Sequence, residues 1–214
     1  MPGAINQRSA MLTAGLLAAG LACGAGAFLL IHSRESPAHA GQQLPYTDIQ
    51  LVDQNGNDRT VSFWSGRLIV LDFIFAGCGD ICPIKTGQLA DVQQALDPAL
   101  RDHVQFVSIS IDPEHDTSAA LQAYANRNGA DLSNWAFLTG DLAKVARIAA
   151  AFDAQLENDS DAATHITTIW LLDGSGRVLQ HYTGEPVDQM RLLRDIAARA
   201  SERSTQQAPT RSLP

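Results

Sequence analysis

An α/β sandwich of three layers is the fold class this sequence predicts, and three observations point to it. Leu68 to Phe75, Val104 to Ile111 and Ile166 to Leu172 are runs of mostly apolar, often β-branched residues, the pattern of strands covered on both faces. Stretches with helical periodicity separate them. The chain then closes with a hairpin and one last helix.

Taken in order, the domain opens with strand-like runs at Tyr46 to Val52 and Thr60 to Phe63, joined through Asn55-Gly56, a strong hairpin signal. Leu68 to Phe75 is the central strand, interrupted only by Asp72. Ile84 to Leu96 follows as an amphipathic helix with Ile84, Leu89, Val92 and Leu96 on one side. Val104 to Ile111 is the second buried strand, and Thr117 is placed to cap a helix over Ser118 to Asn126. Trp135 to Leu138 is a short strand, and Asp141 is expected to cap a helix from Leu142 to Phe152. A polar loop from Glu157 to Thr164 leads to Ile166 to Leu172, and Asp173-Gly174-Ser175-Gly176 turns that strand into Arg177 to Tyr182. Pro186 is expected to open the final helix, reaching about Ser201, before a disordered polar tail.

Composition narrows the functional classes. With 45% hydrophobic and 18% charged residues among 214, the domain has material for a real core. A net charge of −8 and a pI near 5.1 argue against a nucleic-acid binder, which usually presents a basic face. There is no glycine-rich phosphate loop and no internal repeat.

The amino-terminal region predicts export. Ser9 to Ile31 carries no charge, and as a helix it would reach about 34 Å, enough to cross a bilayer core. Arg8 before it places the N-terminus in the cytoplasm and the domain outside. Ala38-His39-Ala40 offers a signal-peptide cleavage site but lies well beyond the apolar run, which favours a retained anchor. Lipid attachment at Cys23 is disfavoured, because Gly20 rather than leucine stands three residues before it. The expected organisation is a cytoplasmic end (1–8), a transmembrane anchor (9–31), a linker (32–44), the folded domain (45–203) and a tail (204–214).

Chemistry concentrates where the central strand ends. Cys78 and Cys82 flank a turn, and Pro83 suits the first turn of a helix, so Cys82 would sit at the positive end of that helix's dipole. Two cysteines are too few for a disulfide scaffold, and their closeness suggests metal or redox chemistry. The Cys-x-x-x-Cys spacing allows a disulfide and equally allows both sulfurs to face one metal ion. Two thiolates select copper or zinc, and a stable site wants a further ligand. Six histidines are available, of which His32, His39, His103 and His181 read as surface residues. His115 and His165, each beside a buried strand, are not separable on composition.

A cysteine pair opening the first helix of such a sandwich fits a thioredoxin-like fold. The motifs DFIFAGCGDICP, SISIDPEHDT, WAFLTGD and THITTIWLLDGSGRV, in this order across Tyr46 to Ala200, resemble those of the Sco/SenC family of copper-binding proteins. The resemblance implies a domain tethered by one N-terminal helix, binding copper through two cysteines and a distant histidine. Here those positions are Cys78, Cys82 and His165. Gly79 departs from a proline common in the family, and Thr164 from a frequent aspartate. In thioredoxin-type enzymes the place of Thr164-His165 is held by a cis-proline, which favours a metal ligand here.

The function implied is that of a membrane-anchored copper chaperone, facing the periplasm from the inner membrane. It would pass Cu(I) or Cu(II) to an oxidase subunit that builds a dinuclear copper centre, and would depend on a thiol reductant or another copper donor. A thiol–disulfide oxidoreductase using Cys78 and Cys82 as its redox pair is the alternative. A peroxiredoxin-type peroxidase is disfavoured, because no arginine lies between Arg67 and Arg101 to activate a cysteine.

Overall fold

The computed structural model describes residues 44–154 and 167–207, the last five by their backbone alone. The expected anchor, most of the linker, the Glu157–Thr164 loop, Cys23 and His165 lie outside the described residues. Among those described, no helix is long and apolar enough to cross a membrane.

Among the described residues, seven strands form one sheet: β1 (Leu51–Asp53), β2 (Asp58–Arg59), β3 (Leu68–Ile74), β4 (Val104–Ser110), β5 (Trp135–Thr139), β6 (Ile169–Leu172) and β7 (Val178–Tyr182). Their order is β2-β1-β5-β4-β3-β6-β7. β3, β4 and β5 run parallel, whereas β6 and β7 on one side and β1 and β2 on the other are antiparallel to their neighbours. The central strand predicted from its apolar run is therefore central in fact, with β4 and β6 beside it.

The two faces of the sheet sort by strand alternation. Leu68, Val70 and Ile74 of β3 face a core shared with α1 (Ile81–Ala95), α2 (Ser118–Arg127) and α4 (Gln189–Gln207). Ile69, Leu71 and Phe73 face the opposite core, formed with α3 (Leu142–Ala151) and the segment before β1. Among the described residues this is the three-layer arrangement, with three helices on one side and one on the other.

Several elements differ from expectation. The hairpin at Asn55-Gly56 forms, with Gly56 at φ +80°, but Tyr46 to Ile49 folds into successive turns. Tyr46 packs against Phe152 with the rings tilted at 55° and centroids 4.7 Å apart, and donates its hydroxyl proton to the Gly176 carbonyl, contacts that an extended strand would forgo. Val61–Trp64 is a 3-10 turn rather than a strand, because the Thr60 hydroxyl accepts from the Phe63 amide at 3.2 Å. Thr117 caps α2 as expected, through the Ala120 amide at 3.2 Å. Asp141 stands before α3 but pairs with Lys144 at 3.0 Å instead of capping with its side chain. The last helix begins three residues beyond Pro186 and runs to Gln207, past Ser201 and into the expected tail.

The most consequential difference lies in α1. It starts at Ile81, so Cys82 and Pro83 are inside its first turn, and of the expected apolar face Leu89, Val92 and Leu96 are buried but Ile84 is not. Ile84 is 49% exposed, while Lys85, Thr86 and Gln93 are buried alongside Leu89 and Val92.

Candidate dithiol metal site

The cysteine turn hangs from the C-terminal end of β3 and is tied down on both sides. The Cys78 amide donates to the Phe75 carbonyl at 3.1 Å, which closes the turn. The Ala76 amide donates to Asp116 Oδ2 at 2.9 Å, and the same buried carboxylate oxygen accepts from Ser110 Oγ at 2.6 Å. Asp116 thus fastens the loop after β4 to the loop after β3. A buried carboxylate with two charge-assisted bonds is a rigid anchor.

The two sulfurs differ in access. Cys82 is fully buried and Cys78 half-buried, and both are free thiols. The Cys82 amide, at the start of α1, points at Cys78 Sγ at 3.5 Å. An orphan helix N–H aimed at sulfur favours thiolate there. Burial pushes the Cys78 thiol up, but the backbone amides of Asp80, Cys82 and Ile81 and the Cys82 thiol outweigh it, and the net shift is downward. Burial pushes the Cys82 thiol up to about 12, opposed only in part by the Phe75 amide and the charge of Lys85. The more accessible thiol is thus the more acidic and the buried thiol the less acidic.

This asymmetry sets an expected result. Since Cys78 has the lowered pKa and access to solvent, iodoacetamide near neutral pH should alkylate Cys78 well before Cys82. Mass spectrometry of the peptide holding both residues checks it. Equal labelling of the two would contradict the assignment.

Beneath Cys82 lies a polar vein that the sequence reading did not find. Lys85, one helical turn along the same face, is completely buried. Its ammonium sits 3.0 Å from Asp72 Oδ2 and donates to the Phe73 carbonyl at 2.8 Å. Asp72 Oδ1 accepts from Ser108 Oγ at 2.6 Å, and Ser108 Oγ accepts from Trp135 Nε1 at 2.9 Å. On α1, Thr86 Oγ1 and the Tyr124 hydroxyl share a hydrogen bond of 2.9 Å. The visible signal was Asp72 itself, the one polar break in the β3 run; period-two alternation puts it on the α1 side.

The carboxylate within the turn and the remaining histidines separate clearly. Asp80 occupies the N-cap position of α1 but makes no capping bond with its side chain. His115 is exposed, its Nδ1 held 2.8 Å from Asp112 Oδ1, and that hydrogen bond raises its pKa. His103 and His181 are exposed, as expected for surface residues. Among the described residues, no cluster of three histidine, cysteine or carboxylate side chains is formed. The fold brings Cys78 and Cys82 together; His165 lies outside the described residues.

A parallel-centred sheet with a Cys-x-x-x-Cys pair of free thiols straddling the N-terminus of its first helix defines a thioredoxin-like domain. The SCO1/SenC family model matches residues 38–201, and the chain belongs to that family. The SCO1 protein homolog of Bacillus subtilis is 29% identical over 136 residues, covering 62% of this chain and 70% of that protein. BsSco, reported with a disulfide switch and as a member of the Sco family of cytochrome c oxidase assembly proteins, is 27% identical in its solved structure. The TM-score is 0.61, with 71% of this chain and 91% of that chain covered. Copper-bound ScoI of Bradyrhizobium japonicum superposes with a TM-score of 0.56 at 25% identity, covering 70% and 95%.

Proposed function

We propose that this chain is a copper chaperone whose cargo is held by Cys78, Cys82 and His165 and passed to an oxidase subunit during assembly of the dinuclear copper centre of cytochrome c oxidase. One observation carries the reading: two free sulfurs meet at a helix N-terminus, one half-exposed and one buried, in a turn pinned by Asp116. Soft paired sulfur donors suit Cu(I) and accept Cu(II). The half-exposed Cys78 gives an incoming ligand a place to attack, so the ion can leave by exchange. Copper-bound ScoI of Bradyrhizobium japonicum supports the choice of metal. The uncharged Ser9 to Ile31 segment supports an anchor in the inner membrane, with the domain facing the periplasm.

A second reading is favoured by the split thiol chemistry. A Cys78 thiolate could attack a target disulfide, forming a mixed disulfide and releasing one target thiolate. Attack by Cys82 would then release the second target thiol and leave a Cys78–Cys82 disulfide, two electrons having passed to the target. A thiol reductant must restore the pair.

Replacing His165 by alanine separates the two. The chaperone reading expects tight copper binding to be lost while disulfide exchange with a small model disulfide stays within about twofold of the parent. Unchanged copper affinity in competition with a chelator would remove His165 from the ligand set.

A further inference from the structure

Resting on the copper reading, we infer that Lys85 is a positioning residue that makes the dithiol site select monovalent over divalent cargo. The reason is charge balance. Two thiolates holding a monovalent ion leave one net negative charge, whereas a divalent ion leaves none, and a neutral imidazole changes neither sum. Cys82 is fully buried, so that surplus charge lies partly out of water, where an uncompensated ion is costly.

Lys85 supplies the compensation from a fixed place. It shares a face of α1 with Cys82, three residues on, at the spacing that brings side chains into neighbouring positions. Its ammonium is clamped between Asp72 Oδ2 at 3.0 Å and the Phe73 carbonyl at 2.8 Å, so it cannot swing away. The partner carboxylate is turned toward the sheet, where Ser108 Oγ donates to its other oxygen at 2.6 Å. The positive end of the pair is the one carried by α1, the helix that also carries Cys82, and the negative end belongs to β3. Nothing in the Cys-x-x-x-Cys motif itself requires a lysine at this position, so the bias is a property of this chain's own residues.

The test uses the Lys85→Met/Asp72→Asn double variant, which removes both charges and leaves no buried ion unpaired. Affinities for Cu(I) and Cu(II) are measured separately on the metal-free, reduced protein by competition with chelators specific for each ion. The expected result is a roughly tenfold to hundredfold loss for Cu(I), the range seen when groups behind the ligands are changed, with Cu(II) held within about threefold. An equal loss for both ions would mean that the pair only shapes the turn, and no loss for either would mean that Lys85 is not felt at the sulfurs; both overturn the inference. Should the double variant fold poorly, Lys85→Gln/Asp72→Asn, which keeps hydrogen bonding without charge, is read in the same way. A parent protein that binds neither ion would instead defeat the copper reading itself.

Discussion

Lys85→Ala alone is expected to cost about 3–5 kcal/mol of folding stability, the usual consequence of stripping one partner from a buried ion pair. Both side chains of the Lys85–Asp72 pair are 1% exposed, so solvent does not screen the charge that is left. Asp72 would keep its bond from Ser108 but lose the ammonium, and the Phe73 carbonyl would lose its buried donor. The removed stem also leaves a cavity under the first turn of α1. For a domain of this size the loss corresponds to a fall in melting temperature of roughly 6–20 °C. The double change Lys85→Met/Asp72→Asn should recover most of it, because neutralising both ends removes the desolvation problem rather than exposing it. Thermal unfolding followed by circular dichroism checks both variants. If the single variant melts within 2–3 °C of the parent, roughly a 1 kcal/mol effect at this size, the pair is not the strut described here.

The second large effect concerns function. Cys78→Ser should abolish retention of Cu(I) through desalting, because a serine hydroxyl does not ionise near neutral pH and is a hard donor. Cys78 is half-buried, and oxygen for sulfur is a small change in volume, so the fold should survive. Cys82→Ser should also lose the metal, but at an added cost in stability, since it places a hydroxyl at a fully buried position. Copper per chain, measured by atomic emission after loading under reducing conditions, reads out both. Full occupancy in the folded Cys78→Ser protein would place the metal elsewhere.

How much of this was legible in the chain follows from which signals are local. The apolar runs of β3 and β4, the Ile169–Leu172 part of the third expected strand and the Thr117 cap depend on neighbouring residues, and they read through directly; Thr167 and Thr168, expected in that strand, lie before it. The dithiol was equally plain, because strand, turn and helix start are contiguous. What did not read through depended on partners far away in sequence. Tyr46 abandons a strand-like pattern for a carbonyl 130 residues on, at Gly176. Ile84 looks like a core position until α1 is rotated to bury Lys85 instead, and only the parallel pairing of Asp72 with Ser108 explains why a lysine belongs inside. Asp116 reads as part of a helix-entering acidic turn, yet its carboxylate holds an amide 40 residues back. Hydropathy prices each residue alone, and these are pairs.

The most direct measurement is X-ray absorption at the copper edge on the reduced, Cu(I)-loaded protein, alongside its His165→Ala variant. Two sulfur scatterers and one nitrogen in the parent, with the nitrogen lost in the variant, is the expected outcome. A shell without sulfur, or a nitrogen that persists after His165 is gone, would contradict a site built from Cys78, Cys82 and His165.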